Sequence, residues 1–214
     1  MYRRGVAYPS DLAATLSGAS VRQLAYWRRP NAAGERLLVP ELRQASRPLL
    51  YSFRDVIALR TFVYLRGEHS LQKVRKAVST MRDLGNRDHL ASYHLAATPP
   101  SIVWVDETGT GTDLVRKPGH RMLDVTLADV VASFDAPERR VVDLFRPRER
   151  VEVDPEVCGG YPVVEGTRVL YDQVASLVRD GVPADRVADY YPGVTAEAAT
   201  DAASLADEVA RVAG

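Results

Sequence analysis

The sequence predicts a modular α+β protein that is mostly helical: an N-terminal winged helix-turn-helix, a small mixed middle region and a C-terminal helical unit. The 214 residues, 46% hydrophobic and 26% charged, suffice for several small cores. Apolar residues recur at helical spacing near both ends of the chain, whereas short strand-like stretches bounded by Gly and Pro fill the middle. We therefore expect domains at 1–90, 91–150 and 151–214.

The first two elements predict a helix-turn-helix. Ser10 is placed to cap a short helix that ends at Ser17-Gly18. Ser20 is placed to cap a second helix, "VRQLAYWRR", which ends before Pro30. Two short helices joined by a tight turn that contains Gly are typical of this motif.

A wing and two further helices follow. Leu37–Val39 and Leu49–Phe53 flank "PELRQASRP", which predicts a two-stranded wing with a basic tip. The apolar periodicity then predicts one helix over 52–65 and another over 70–84, both packed on the first pair.

The middle region is predicted to be mixed. Thr98-Pro99-Pro100 indicates an internal boundary, because Pro cannot continue a helix and holds the preceding residue extended. Beyond it, "SIVWV", "RMLDVTL" and "RRVVDLF" are predicted as strands and "LADVVASF" as a short helix.

The C-terminal unit is predicted to be a strand followed by three helices. "PVV" gives the strand and Glu165-Gly166 a tight turn. The helices are residues 171–179, "PADRVADYY", and a third helix capped by Thr195.

Charge divides the chain into two halves although the net charge is zero. Residues 1–88 carry sixteen Lys or Arg against seven Asp or Glu, and residues 89–214 carry twelve against twenty-one. This asymmetry indicates a basic part that contacts a polyanion and an acidic part that contacts another partner or keeps the protein soluble. The alternative is chance clustering of the charges. Only three of the 28 basic residues are Lys, which favours planar, bidentate contacts.

The second helix predicts a DNA-reading surface. Leu24 and Trp27 face the core, which turns Arg22, Tyr26 and Arg29 to the opposite side. In a major groove, guanidinium pairs with guanine and a Gln amide pairs with adenine. The predicted DNA-binding residues are Arg22, Gln23, Tyr26, Arg28, Arg29, Arg43 and Arg47. Of these, Arg28, Arg43 and Arg47 are expected near phosphates. The alternative is a solvated basic face on a small helical bundle.

Residues 8–80 resemble the MerR family of winged-helix regulators. The resemblance rests on "DLAATLSGASVRQLAYW", "LLVP", "LLYSFRDVIALRTFVYLR" and "SLQKVRKAV". It implies that Leu24 and Trp27 are core residues, that Arg22 and Tyr26 face DNA, and that Tyr51 ends the wing. It also implies that the helix over 70–84 forms a homodimer.

Residues 151–208 resemble antitoxins encoded beside PIN-domain ribonuclease toxins of the VapBC class, which are described as helix-turn-helix-like. The pattern is G-x-P-V-x-x-G-T-R, followed by a helix, Gly, a second helix, Tyr-Pro and a third helix. The resemblance implies a protein partner that contacts Gly166, Thr167 and Arg168. The alternative is structural: the Thr167 hydroxyl satisfies turn amides, and Arg168 caps a helix or pairs with an acid such as Asp172.

Catalytic and metal-binding motifs are missing from the sequence. The four histidines show no metal-ligand spacing, and Cys158 has no partner Cys. We therefore expect no metal, no cofactor and no enzyme activity. Because no signal peptide or membrane span is readable, we expect a cytoplasmic protein.

These features together predict an antitoxin that neutralises a PIN-domain toxin and binds double-stranded operator DNA as a homodimer to repress its own operon. The alternative is a stand-alone MerR-like regulator whose C-terminal domain binds an effector.

Overall fold

The structure is a computed structural model that describes residues 7–32, 34, 36–42, 49–84, 94–98, 101–105, 111–115, 121–122 and 130–213. These residues form a mixed α/β protein in which helices carry most of the core and small antiparallel sheets occupy the periphery. The broad class is therefore the predicted one.

Four helices form the N-terminal part: α1 (Ser10–Ser17), α2 (Val21–Trp27), α3 (Phe53–Glu68) and α4 (Leu71–Asp83). Serines at 20, 52 and 70 accept a hydrogen bond from the backbone three residues later, which satisfies one orphan N–H at each helix start. Between α1 and α2 the chain turns at Gly18, whose φ of +81° is readily adopted only by glycine. The four predicted helices are confirmed, but the predicted cap of the first is wrong: Pro9 is the N-cap residue of α1, and the Ser10 hydroxyl donates to Leu49 O at 3.5 Å.

The predicted wing is not formed as expected. Leu50–Tyr51 (β2) is a strand, but it pairs antiparallel with Tyr8–Pro9 (β1) rather than with 37–39. Leu37 and Leu38 are both buried, and both of their N–H groups donate to Trp27 O, at 3.1 and 3.3 Å. A strand cannot turn two successive side chains into one core, so this segment follows the end of α2 instead. Phe53, the last residue of the predicted wing strand, begins α3 because Ser52 caps that helix. The basic tip, with Arg43 and Arg47, lies outside the described residues.

The middle region is a meander of four antiparallel strands followed by a hairpin. β3 (His94–Thr98), β4 (Ser101–Val105), β5 (Gly111–Asp113) and β6 (Arg121–Met122) lie in sequential order. Thr98 pairs with Ser101, so the predicted Pro-Pro boundary instead joins two strands of one hairpin.

The next part of the middle region departs from the predicted helix and strand. Of the helix predicted over "LADVVASF", residues 130–131 form a turn, residue 132 a bend, and Phe134–Asp135 forms β7, which pairs with β8 (Arg140–Val141). That helix prediction is wrong for the described residues. Of "RRVVDLF", only Arg140–Val141 is a strand.

Buried Arg60 anchors the segment that follows β6. Its guanidinium, fully buried on α3, donates to Leu16 O at 2.6 Å, to Val131 O at 3.1 Å and to Ala132 O at 2.7 Å. Val130 O and Val142 O also accept hydrogen bonds from it. Burial lowers its pKa to about 10, and the charge of Asp143 opposes that shift. These hydrogen bonds hold residues 130–132 and Val142 against α3 and α1, and Val131 O also accepts from Leu144 N at 2.9 Å.

The C-terminal unit matches the prediction closely. β9 (Val151–Glu152) pairs with β10 (Val163–Val164), and α5 (Tyr171–Arg179) and α6 (Ala196–Ala213) are the main helices. The predicted middle helix is a 3₁₀ segment, Ala184–Asp189. Thr195 Oγ1 accepts a hydrogen bond from Ala198 N at 3.2 Å, as expected of a cap.

The C-terminal unit packs directly on the helix-turn-helix. Helix α6 lies against α1, the ring centroids of Tyr8 and Tyr161 are 5.9 Å apart, and Tyr8 OH donates to Gly160 O. Gly160 has φ of +89°, and a Cβ added to it would lie 2.9 Å from Tyr8 Oη. Only glycine fits this contact, which joins the segment before α1 to the C-terminal unit.

Candidate nucleic-acid interface

Helix α2 is built to present one cationic face. A capping box fixes its start: Ser20 Oγ accepts from Gln23 N at 3.1 Å, and Gln23 Oε1 accepts from Ser20 N at 2.8 Å. Leu24 and Trp27 are buried, and the Trp27 ring meets Phe62 of α3 edge to face at 5.8 Å. Burial of this side turns the opposite side of α2 to solvent.

Arg22, Tyr26 and Arg29 occupy that solvent side, as the sequence predicts. All three are exposed, and half of the Tyr26 surface is accessible. Within the described part of the chain, the guanidinium groups of Arg22 and Arg29 form no hydrogen bond or ion pair. Their guanidinium groups are therefore available to an external anion.

Gln23 and Arg28 are placed differently from the prediction. The Gln23 amide belongs to the capping box, and its Nε2 lies 3.4 Å from Glu138 Oε1, so it has to leave the cap to reach a base. The Arg28 guanidinium lies 6.0 Å over the Tyr51 ring, and its Nε donates to Leu24 O at 3.2 Å. S-x-x-Q is a known capping-box signature, so the role of Gln23 was readable from "SVRQ".

Helix α4 adds cations that sequence reasoning missed. The Arg75 guanidinium lies 5.4 Å from the centroid of the Tyr26 ring. Arg82 Nη2 donates to Arg36 O at 3.0 Å, and these three arginines line one shallow cleft. Their spacing along the chain gives no signal, because it is the packing of α4 beside α2 that brings them together. We call Arg22, Tyr26, Arg29, Arg36, Arg75 and Arg82 the α2/α4 face.

The β7–β8 hairpin braces the turn between α1 and α2. Arg139 Nη2 donates to Ala14 O at 2.7 Å and to Ala19 O at 3.0 Å, and its Nε donates to Gly18 O at 3.3 Å. Burial lowers the pKa of Arg139, and the nearby Glu208 carboxylate, 3.9 Å away, offsets part of that shift. The position of α2 therefore depends on the segment that precedes the C-terminal unit.

The predicted partner-binding turn has both structural and exposed parts. Gly166 has φ of +70°, and Thr167 Oγ1 donates to Val164 O at 2.8 Å and accepts from Val169 N at 3.0 Å. The Thr167 hydroxyl therefore satisfies the turn, as the structural alternative holds. Arg168 is exposed, and Asp172, its suggested partner, accepts instead from Tyr161 OH at 2.9 Å.

The described ranges contain neither a cluster of metal ligands nor a helix suited to crossing a membrane. No three His, Cys, Asp or Glu side chains there come together as a metal site requires. None of the helices described combines the length and hydropathy that a membrane crossing requires.

Comparison with known proteins gives matches to part of the chain and to the fold. Residues 151–206 match the family described as "Protein of unknown function (DUF433)". An uncharacterized HTH-type transcriptional regulator of Mycobacterium tuberculosis is 34% identical over 87 residues, which is 39% of this chain and 36% of that protein. The uncharacterized protein y4eO of Sinorhizobium fredii is 36% identical over 69 residues, 32% of this chain and 31% of that protein. The chain thus matches about a third of the length of these curated relatives.

One solved structure resembles nearly the whole chain. The crystal structure of Rv2018 from Mycobacterium tuberculosis covers 94% of this chain and 100% of that one, with a TM-score of 0.54 and 18% identity. The two proteins therefore share a fold over most of their length.

Proposed function

We propose that the protein is a non-enzymatic, DNA-binding transcription regulator that contacts the duplex with the α2/α4 face. The observation that carries this proposal is that Arg22, Tyr26 and Arg29 are exposed on the second helix of a helix-turn-helix. The part of the chain that is similar to HTH-type transcriptional regulators supports the same role.

The two helices of this face suit two kinds of contact. Arg22 lies in the first turn of α2. In a recognition helix, the N-terminal residues contact base edges, and a guanidinium group pairs with guanine. Arg36, Arg75 and Arg82 line one cleft, and Arg75 lies beside the Tyr26 ring; these arginines are suited to phosphates, which position a protein without reading sequence. Arg22 therefore contributes specificity and the α4 arginines contribute affinity.

The finer proposal is that the protein is the antitoxin of a PIN-domain ribonuclease and acts as a MerR-like homodimer on its own operator. The C-terminal signature turn supports a partner contact, because Arg168 is exposed beside a turn that Thr167 and Gly166 hold rigid. Helix α4 is the proposed dimer element, and a dimer is expected because operators are commonly two-fold.

The DNA proposal is tested by fluorescence anisotropy on the duplex upstream of the protein's own reading frame. Arg22→Ala is expected to cost about 1–3 kcal/mol at one base pair, whereas Arg75→Ala weakens all sequences evenly. Arg186→Ala is the control, since Arg186 is an exposed arginine of the C-terminal unit, 2.7 Å from Asp189. Equal affinity of all four proteins for specific and scrambled duplexes would overturn the proposal.

The antitoxin proposal is tested by co-purification with the product of any neighbouring PIN-domain gene and by inhibition of its ribonuclease activity. Arg168→Ala is expected to release the toxin and Arg186→Ala to retain it. If wild-type protein neither binds nor inhibits that ribonuclease, the regulator has no antitoxin role, and the DNA proposal is unaffected.

A further inference from the structure

A cleft of about 260 Å³ lies where α1 of the helix-turn-helix meets α5 and α6 of the C-terminal unit. It shares no residue with the α2/α4 face. Leu12, Ala175 and Val209 contribute apolar surface to its wall. Asp11, Asp172 and the phenols of Tyr161 and Tyr171 contribute the polar groups. A concave site with an apolar wall and a few convergent polar groups is the usual form of a small-molecule site.

The carboxylates of this cleft have unfilled hydrogen-bonding capacity. Asp172 accepts one hydrogen bond through Oδ2 from Tyr161 OH, while its other oxygen, Oδ1, is buried and has no partner among the described residues. Asp11 accepts from Leu12 N at 2.8 Å. In the part of the chain that the structure describes, neither carboxylate forms an ion pair. A half-satisfied carboxylate in a partly buried wall is costly unless a donor reaches it.

The charge around the cleft favours a cation. Arg179 also lines it, but its guanidinium is 3.2 Å from Asp207, which balances its charge. The two aspartates are therefore not compensated from within the described chain. Burial raises the pKa of Tyr161 and of Tyr171 well above the usual range, so both phenols are neutral near pH 7. Neutral aromatic rings attract cations, and the two rings lie 5.9 Å apart.

We propose that this cleft binds a small aliphatic amine, with its ammonium group at Asp11 and Asp172 and its methylene groups against Leu12, Ala175 and Val209. An ammonium group supplies three donors to oxygens that lack them. A neutral ligand leaves the aspartate charges uncompensated, and an anion is repelled by them. Because α1 and α5 supply one aspartate each, the amine links the helix-turn-helix to the C-terminal unit.

The proposal is tested by isothermal titration calorimetry of the full chain with butane-1,4-diamine, and with butane-1,4-diol as the neutral analogue. Saturable one-site binding of the diamine and no binding of the diol are expected. Asp172→Asn keeps an acceptor for Tyr161 OH but removes the charge, and it is expected to weaken binding at least tenfold. Asp180→Asn makes the same change at an exposed position just after α5 and is expected to leave binding unchanged.

A melting experiment gives a second measure of binding, and a replacement variant covers the case in which Asp172→Asn does not fold. Bound diamine is expected to raise the Tm of the wild type by a few degrees, because a ligand that binds only the folded state stabilises it. If Asp172→Asn does not fold, Asp11→Asn takes its place, since Asn also suits the start of a helix. The proposal is overturned if the diamine shows no saturable binding or if the diol binds equally well. It is also overturned if Asp180→Asn loses binding while Asp172→Asn keeps it.

Discussion

Arg60→Leu is expected to be among the most damaging single changes in the protein. The Arg60 guanidinium is fully buried and bonds five backbone carbonyls from three separate segments. Leucine occupies much of the same aliphatic path on α3 but donates to none of the five carbonyls. Val131 O keeps a backbone donor, Leu144 N at 2.9 Å, and the others lose the hydrogen bond from Arg60. The segment around residues 130–142 then loses its connection to the helix-turn-helix.

The magnitude follows from how deeply each carbonyl is buried. Two of the five bonds, to Leu16 O and Val130 O, are buried, and the other three are partly buried. Each buried carbonyl left unsatisfied costs about 1–3 kcal/mol, whereas the partly buried ones regain water and cost less. Removal of a desolvated charge offsets part of the loss. We expect a net loss of about 3–5 kcal/mol in the free energy of unfolding, a large share of the ~5–15 kcal/mol typical of a domain.

Urea unfolding followed by circular dichroism measures this loss. Arg54→Leu on the same helix is the control, because Arg54 forms an exposed ion pair with Glu41 at 3.0 Å and such pairs contribute at most about 1 kcal/mol. If Arg60→Leu loses no more stability than Arg54→Leu, the reasoning from buried carbonyls is refuted.

Three further changes test other contacts. Gly160→Ala is expected to lose about 2–4 kcal/mol in urea unfolding, because its φ is +89° and its Cβ would lie 2.9 Å from Tyr8 Oη; wild-type stability would contradict this. Ser20→Ala is expected to lose about 1 kcal/mol in the same assay, because Ser20 and Gln23 form the α2 capping box. Hydrogen bonds from two neighbouring arginines, Arg146 and Arg150, lower the pKa of Glu165 in the folded protein. The ionised Glu165 therefore stabilises the fold above the ordinary carboxyl pKa, and this stabilisation is lost as pH falls through the lowered pKa of the folded state. Wild type is therefore expected to lose stability more steeply than Glu165→Gln between about pH 5 and pH 3, and parallel curves would contradict the pairing.

Local chemistry explains what could be predicted from the sequence. Helix starts follow capping serines at 20, 52 and 70, and α5 ends before Gly181, so these bounds depend on a few neighbouring residues. The exposed side of α2 likewise follows from helical period, because burial of Leu24 and Trp27 fixes where Arg22 and Tyr26 point.

The remaining features depend on contacts between distant segments. Arg60 looks like any polar residue in the apolar periodicity of α3, yet it binds the carbonyls of residues 130–132, which lie 70 or more residues away in the sequence. Arg75 becomes part of the α2/α4 face only because α4 lies beside α2. No pattern within one element contains this information.

The salt dependence of DNA affinity tests the central claim most directly, since the claim is that the α2/α4 face contacts a duplex rather than bulk water. Each phosphate contact contributes about −0.9 to the slope of log K against log salt concentration. With Arg29, Arg36, Arg75 and Arg82 engaged with phosphates, we predict a slope of about −3 to −4 for each bound subunit, or about −7 for a bound homodimer, and Arg75→Ala is predicted to make it shallower by about one per subunit. A flat titration for the wild-type protein, or a slope that Arg75→Ala leaves unchanged, would contradict the account.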